Sequence, residues 1–535
     1  MVPGKTGEGF ERITVVKVNG FMQEIRQFIQ GYFSFPPEPV HFYIPKTNAM
    51  KFLSIRYILF RLIHAVLCLV LVIQVNGQRK VLYASNPPEG FAASRIAKQA
   101  LKDDMRYWQQ VLEESHVNPY HAISREQMKA LQDSLLNALP DSVTHFQACF
   151  AISTLAGALD EGHLGFETNR VSDSLYTYHA VRFPFLLFDI ENGALVVQRD
   201  LSAVNKLPAY SRITEINGIP VQQLYERYRK FYGGLEPWRR LQVKNNFRKL
   251  LFMDGITSPF RIKALVNNQP VEYSTEGFSY QQTDSISKLI AAEMQKPAGP
   301  FSMRFLPGNI AFIEFNDMNG KLRESFEVFI KEAFTQIRDK QAAGVIIDIR
   351  KNGGGDSGLG DLLISYISDK PYRGSAGVKM RISSHSKANA VLRGTADPFA
   401  DWENGKLYEY DVRKLSKPGK NKLRYKGKVA VLIGTGTFSS ANMLTNAIKD
   451  YKLATLIGEP TAEPGNDFGE IFPFMLPNTY INATTAIKMF MRANGDTGDF
   501  SGIKPDIEVR NTPEDIQNKK DRVLDRALQW IQEGR

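Results

Sequence analysis

The chain has 535 residues, 43% of them hydrophobic, a length that usually exceeds one hydrophobic core, so we expect about two to four domains. The formal net charge is +11, but no stretch interleaves Lys and Arg with aromatic residues, so a nucleic-acid groove is not expected. Cys68, Cys149 and eight scattered histidines give no disulfide framework and no metal-ligand spacing, so we expect no metal and no other cofactor.

The first predicted element is an export segment. Residues 50–77 read MKFLSIRYILFRLIHAVLCLVLVIQVNG, in which basic residues precede the apolar stretch Leu62–Val75 and Gly77 offers a cleavage position. This layout is typical of a signal peptide, so we expect an exported, periplasmic or otherwise extracytoplasmic protein. Because Met50 suits a translation start, residues 1–49 are interpreted as a mis-assigned extension. The alternative is an uncleaved anchor, which would be the only expected membrane contact.

Two smaller regions are expected next. Residues 78–175 predict a helical N-terminal subdomain, since apolar residues recur there every three or four positions. Residues 180–272 predict a small β-rich module, because Arg212–Val221 favours two short strands about an Asn217-Gly218 turn, followed by a helix. Residues 273–299 are polar and end in Lys-Pro-Ala-Gly, which is typical of a linker.

Strands and helices alternate over residues 300–512, which predicts an α/β domain with a mostly parallel sheet covered by helices. Its predicted strands are Ile310–Phe315, Gly344–Ile349, Val429–Ile433 and Leu453–Ile457, and its predicted helices are Leu322–Ile337, Gly358–Ile367 and Ser440–Tyr451. Residues 372–426 are expected to be a weakly structured insertion. Residues 513–535 predict a C-terminal helix, with Ile516, Val523, Ala527 and Ile531 on one face.

One serine stands where a predicted strand meets a helix. In Gly434-Thr-Gly-Thr-Phe-Ser-Ser, the Ser439 hydroxyl lies at the helix start and the Ser440 amide points into the same space. Such an amide stabilises the oxyanion that forms when a hydroxyl attacks a carbonyl. Serine is also a common helix N-cap, and position alone favours that structural role.

A glycine-rich loop leaves a neighbouring strand of the predicted sheet. Residues 351–356 read KNGGGD, and their backbone amides can approach and hold an anion at the carboxyl end of a parallel sheet. A flexible turn is the other interpretation. Both nucleotide-binding glycine patterns are missing, so a phosphate loop is not favoured.

The order of five motifs resembles a known family. DIRKNGGG, GTFSSANM, IKDY, LATLIGEPT and GIKPDIEV, within residues 300–510, resemble the catalytic core of the tail-specific, or C-terminal processing, serine peptidases. RITEINGIPV is similar to the PDZ-like module of that family, and SHVNPYHAISREQMKAL to its N-terminal helical region. The resemblance implies a crotonase-like catalytic domain, serine endopeptidase activity on proteins or peptides, and recognition of substrate C-termini.

The same alignment implies the site residues. The nucleophile falls on Ser439, but the lysine base of many members is replaced by Pro464, and Asn442 replaces a frequent glutamate. LDEGHLGF instead resembles the Gly-His element of the tricorn-type and retinoid-binding-protein-like branch, which puts His163 in the position of the base. An imidazole can accept the serine proton and return it to the leaving amine at neutral pH.

In that branch the orienting acid aligns with Asp499 in GDFSGIKPD, and the nearby alternatives are Glu463, Asp467, Glu470 and Asp496. The expected site is therefore nucleophile Ser439, base His163 and acid Asp499, with oxyanion donors Gly354 and Ser440. The rival interpretation is a catalytically silent protein that binds peptides or apolar ligands on the same fold, which the missing lysine favours. A crotonase-like enzyme acting on thioesters is a third alternative, disfavoured by export.

Overall fold

The computed structural model describes residues 87–282, 288, 299–392 and 399–533. The predicted signal peptide and the extension before it lie outside these residues. The described part of the chain is mixed α/β, with two six-stranded sheets, one four-stranded sheet and one two-stranded sheet. No helix within it combines the length and the apolar character needed to cross a membrane.

The α-helices are, in chain order, Lys98–Ser115, Arg125–Ala138, His145–Ala158, Arg170–His179, Val221–Tyr228, Glu236–Met253, Arg323–Asp339, Ser357–Ile367, Ser384–Leu392, Ser440–Tyr451, Pro513–Gln517 and Arg522–Gln532. The strands are Ile96–Ala97, Ser142–Val143, Phe185–Glu191, Ala194–Asp200, Arg212–Ile216, Ile219–Pro220, Phe260–Val266, Gln269–Thr275, Phe301–Leu306, Ile310–Phe315, Gly344–Asp348, Val378–Arg381, Leu407–Tyr410, Val429–Ile433, Thr455–Gly458, Asp467–Met475, Asn482–Phe490 and Ile507–Glu508.

The N-terminal region is helical because its apolar residues recur at helical spacing and three of its four described helices start at a capping box. The helix Arg125–Ala138 starts at a capping box, in which the Ser124 hydroxyl accepts from the Gln127 backbone N–H and the Gln127 side chain accepts from Ser124. Trp108, on an earlier helix, is 1% exposed. It shares one core with Phe472 of the four-stranded sheet, so the helical region packs against a sheet from the C-terminal half.

Residues 185–275, called the middle module below, form an antiparallel sheet with two α-helices. The predicted hairpin at Asn217-Gly218 is present, and both residues have positive φ, 51° and 82°, as the tight turn requires. The helix Glu236–Met253, which was not predicted, packs on this sheet through the fully buried Phe247 and Leu250. The described residues at the start of the expected linker continue the strand Gln269–Thr275.

The largest apolar core surrounds a six-stranded sheet whose order confirms the predicted α/β class. Its strands run in the order 507–508, 455–458, 429–433, 344–348, 310–315 and 301–306, all pairings being parallel except the last. Because the strands Gly344–Asp348 and Val429–Ile433 are parallel neighbours, the loops that follow them leave the same edge of the sheet. This arrangement brings Gly354 and Ser439 to one place.

Two expectations for the C-terminal half are wrong. The strands Val378–Arg381 and Leu407–Tyr410 of the supposedly weakly structured insertion join the strands Asp467–Met475 and Asn482–Phe490 in an antiparallel sheet. The predicted C-terminal helix is two helices, because the chain turns after residue 517. Ile516 is therefore 41% exposed, whereas Val523, Ala527 and Ile531 are buried on the second helix.

Candidate active site

Ser439 lies in a strained turn between the central strand Val429–Ile433 and the helix Ser440–Tyr451. Its backbone angles are φ 52° and ψ −125°, a combination that non-glycine residues rarely adopt and that is concentrated at functional sites. The Ser439 side chain does not cap the helix. Thr437 stabilises the turn, because its hydroxyl donates to the carbonyl of Ile349 at 2.9 Å.

The two adjacent serines have different partners. The Ser440 hydroxyl donates to the Gly355 carbonyl at 2.6 Å and is buried. The Ser439 hydroxyl instead lies 3.3 Å from Nε2 of His163, which approaches from a turn 276 positions earlier in the chain. This distance exceeds a short hydrogen bond, as is common for catalytic pairs before substrate binds. The structure therefore brings His163 to Ser439 and engages Ser440 elsewhere.

The imidazole of His163 is flanked by two carboxyl groups. Its Nδ1 lies 3.5 Å from Oε1 of Glu463 and 3.6 Å from Oδ1 of Asp467, and the Glu463 side chain is 1% exposed. The other carboxyl oxygen of Glu463 accepts the backbone N–H of Ser439. Glu463 thus contacts both the nucleophile's backbone and the far side of the imidazole.

The structure does not bring Asp499 to His163. The Asp499 carboxylate pairs with Arg492 and accepts the N–H and hydroxyl of Ser501 at 2.9 and 2.6 Å. The Ser501 hydrogen bonds and the Arg492 guanidinium hold the pKa of Asp499 below its ordinary value. Two of the alternative acids considered from the sequence, Glu463 and Asp467, occupy the position expected for Asp499.

Burial and charge set different protonation states in this group. Burial, together with the Asp467 carboxylate, raises the pKa of Glu463 well above its ordinary value. Burial alone would lower the pKa of His163, but the carboxylates of Asp467 and Glu161 and a hydrogen bond with the Phe468 backbone together outweigh it, and the net pKa is raised. The arrangement therefore favours a protonated Glu463 and a histidine that readily accepts a proton.

The expected oxyanion donors lie together but only one is free. A Cβ atom on Gly354 would be 2.7 Å from the Ser440 nitrogen and from Cβ of Ser439, so glycine is required for this approach. The Gly354 N–H donates to Oδ1 of Asn352 at 2.9 Å. Within the described part of the chain the Ser440 N–H has no acceptor. Ser440 is thus the donor available in this conformation.

The side chains of His163, Glu463 and Asp467 together could hold a cation. Nitrogen and oxygen atoms of His163, Glu463 and Asp467 all lie within 4.8 Å of one another. The nitrogen that would bind the ion is Nδ1, since Nε2 faces Ser439. Imidazole bound through Nδ1 keeps its proton on Nε2, so an ion there would remove the base rather than assist it.

Comparison with known proteins gives a family match and two similar folds. Residues 309–509 match the family model described as Peptidase family S41. Mature CPAF has a TM-score of 0.54 at 16% identity, over 79% of this chain and 94% of that one. Mature CPAF complexed with lactacystin has a TM-score of 0.56 at 16% identity, over 81% of this chain and 99% of that one. At this identity the likeness shows a shared fold.

Proposed function

We propose that this chain, whose residues 309–509 match peptidase family S41, the tail-specific and C-terminal processing serine peptidases, hydrolyses peptide bonds with Ser439 as nucleophile and His163 as base. The observation that carries the proposal is the 3.3 Å approach of His163 Nε2 to the hydroxyl of Ser439 on a strained helix-start turn. Protein or peptide substrates follow from the family.

The proposed reaction is acyl transfer in two steps. Oγ of Ser439 attacks the peptide carbonyl while its proton passes to Nε2 of His163, and Asp467 stabilises the imidazolium that forms. The carbonyl oxygen becomes an oxyanion that accepts from the Ser440 N–H. His163 then gives the proton to the leaving amine, and the same residue activates the water that hydrolyses the acyl-enzyme.

The second oxyanion donor requires a small rearrangement. The Gly354 N–H is expected to exchange its Asn352 partner for the substrate oxyanion, which is the stronger acceptor because it is charged. While the Gly354 N–H is bonded to Asn352, the site has one oxyanion donor fewer than expected. This observation favours the rival function, a catalytically inactive binding protein on the same fold. Reactivity of Ser439 towards an acylating or phosphonylating probe decides between them.

Three further features belong to the proposal. The middle module is proposed to be PDZ-like and to bind the extended C-terminal segment of a substrate by strand addition. The catalytic domain is proposed to be crotonase-like. Residues 50–77 are proposed to direct the protein out of the cytoplasm, to the periplasm or an equivalent compartment.

The test is labelling of the purified protein with a fluorophosphonate, followed by mass spectrometry of the modified peptide. Wild-type protein is expected to be labelled at Ser439 and to cleave an unfolded protein substrate. Ser439→Ala should abolish both, and His163→Gln should slow both by about 10³-fold or more. Ser325→Ala, an exposed serine on another helix, is the matched control. Unlabelled wild-type protein, or cleavage that persists in Ser439→Ala, would refute the proposal.

A further inference from the structure

The turn that carries His163 is held by a segment of the middle module. Asp160 pairs with Arg239 across this contact. A Cβ on Gly233 would lie 2.3 Å from the backbone nitrogen of Glu161, and a Cβ on Gly234 would lie 2.9 Å from Cα of Gly162. The two glycines therefore let the backbones of the turn and of the module come into direct contact.

Trp238, on this segment, contacts the residue before His163 and the residue before Ser439. Its indole N–H donates to the carbonyl of Gly162, the residue before His163, at 2.9 Å. Its ring stacks on Phe438, the residue before Ser439, with centroids 3.9 Å apart and planes inclined by 11°. Phe438 in turn contacts the imidazole of His163 with centroids 4.8 Å apart.

The helix that presents Trp238 is anchored in a different core from the nucleophile. It spans Glu236–Met253 and buries Phe247 and Leu250 completely within the middle module. Ser439 stands instead on the helix Ser440–Tyr451, whose Leu444 and Ile448 belong to the core of the parallel sheet. Trp238 therefore joins two separately packed parts of the molecule at the catalytic pair.

From these contacts we propose that Trp238 is a positioning residue, which sets the imidazole of His163 against the hydroxyl of Ser439 through Gly162 and Phe438. This inference rests on the proposed peptidase function. The indole N–H fixes the backbone of the base, and the stacked ring fixes the turn of the nucleophile. Misplacing catalytic groups by about 1 Å can cost about a hundredfold in rate, so the contact is large enough to be measured.

The experiment compares Trp238→Phe and Trp238→Ala with Trp530→Phe, a tryptophan of the C-terminal helix. Phenylalanine keeps a stacking ring but removes the N–H donor, whereas alanine removes both. We expect kcat to fall about tenfold in Trp238→Phe and about a hundredfold in Trp238→Ala, with KM within about twofold of wild type. The rate of fluorophosphonate labelling at Ser439 should fall in parallel, and Trp530→Phe should match wild type.

Different outcomes overturn different claims. Wild-type kcat in Trp238→Ala, or an increase in KM at unchanged kcat, would overturn the positioning role. A wild-type protein that does not react with the probe would refute the proposed function. The effect of Trp238 on the position of the His163 imidazole would then be measured by NMR. The NMR signals of His163, assigned by their loss in His163→Gln, should move in Trp238→Ala and stay in Trp530→Phe, while unchanged signals in both would overturn the inference. Thermal melting of each variant identifies any loss of folding.

Discussion

Replacing Asp467 by Asn is expected to lower kcat about a thousandfold, because Asp467 is the charged partner of His163. Its Oδ1 lies 3.6 Å from Nδ1 of the imidazole. Two unit charges at that distance interact by about 4 to 5 kcal/mol at an effective dielectric constant of about 20. Loss of this stabilisation from the imidazolium of the transition state corresponds to about 10³-fold in rate.

Glu463→Gln is expected to behave differently although Glu463 is equally close to the imidazole. Burial and Asp467 raise the pKa of Glu463 well above its ordinary value, which favours a neutral carboxyl group that can donate to Asp467. A glutamine amide is also neutral and can both donate to Asp467 and accept the Ser439 N–H. We therefore expect a loss of less than about tenfold, whereas Glu463→Ala, which removes both contacts, should lose more.

Asp499→Asn completes the comparison, because it changes the acid that sequence alignment indicates. Its carboxylate is 34% exposed and pairs with Arg492, so only a small change in stability and in kcat is expected. The assay is initial rate on a quenched fluorescent peptide, with thermal melting as the control for folding. Equal losses in Asp467→Asn and Glu463→Gln would refute the different roles given to these two acids, and a thousandfold loss in Asp499→Asn would refute Asp467 as the orienting acid.

Three further outcomes are expected. Burial lowers the pKa of His163, but the Asp467 carboxylate, with smaller contributions from Glu161 and the Phe468 backbone, outweighs it. The acid limb of kcat/KM should therefore lie above pH 6.5 and move to lower pH in Asp467→Asn; a limb that moves up would contradict this. Burial raises the pKa of Glu167 to about 8 despite hydrogen bonds from Thr484, so the folded state holds a proton that the unfolded state releases above pH 4.5. Stability should therefore fall by about 1.4 kcal/mol per pH unit between those values, and Glu167→Gln should flatten this dependence in urea titrations. Peptidase activity should survive EDTA and fall on adding Zn²⁺, since an ion on Nδ1 of His163 blocks the base; loss with EDTA that Zn²⁺ restores would contradict the mechanism.

Local patterns predicted the parallel sheet well because its strands are covered on both faces. Ile310–Phe315 and Val429–Ile433 are continuous apolar runs and were predicted with the bounds observed. The strands of the four-stranded sheet lack such a run. Asp467–Met475 contains charged residues and Pro473, which suits an edge strand but obscures its pattern, and its sheet includes Val378–Arg381 from far earlier in the chain.

The four-stranded sheet, which was not predicted, also explains why the sequence indicated Asp499 and not Asp467 as the orienting acid. Asp467 is the first residue of the strand Asp467–Met475, and Arg492 follows the strand Asn482–Phe490 that pairs with it. The hairpin formed by these strands places Asp467 beside His163 and leaves Arg492 to pair with both Asp450 and Asp499. Along the sequence all the acids between 463 and 499 are plausible partners for the base. The register of a sheet that local patterns do not indicate brings Asp467 to the base.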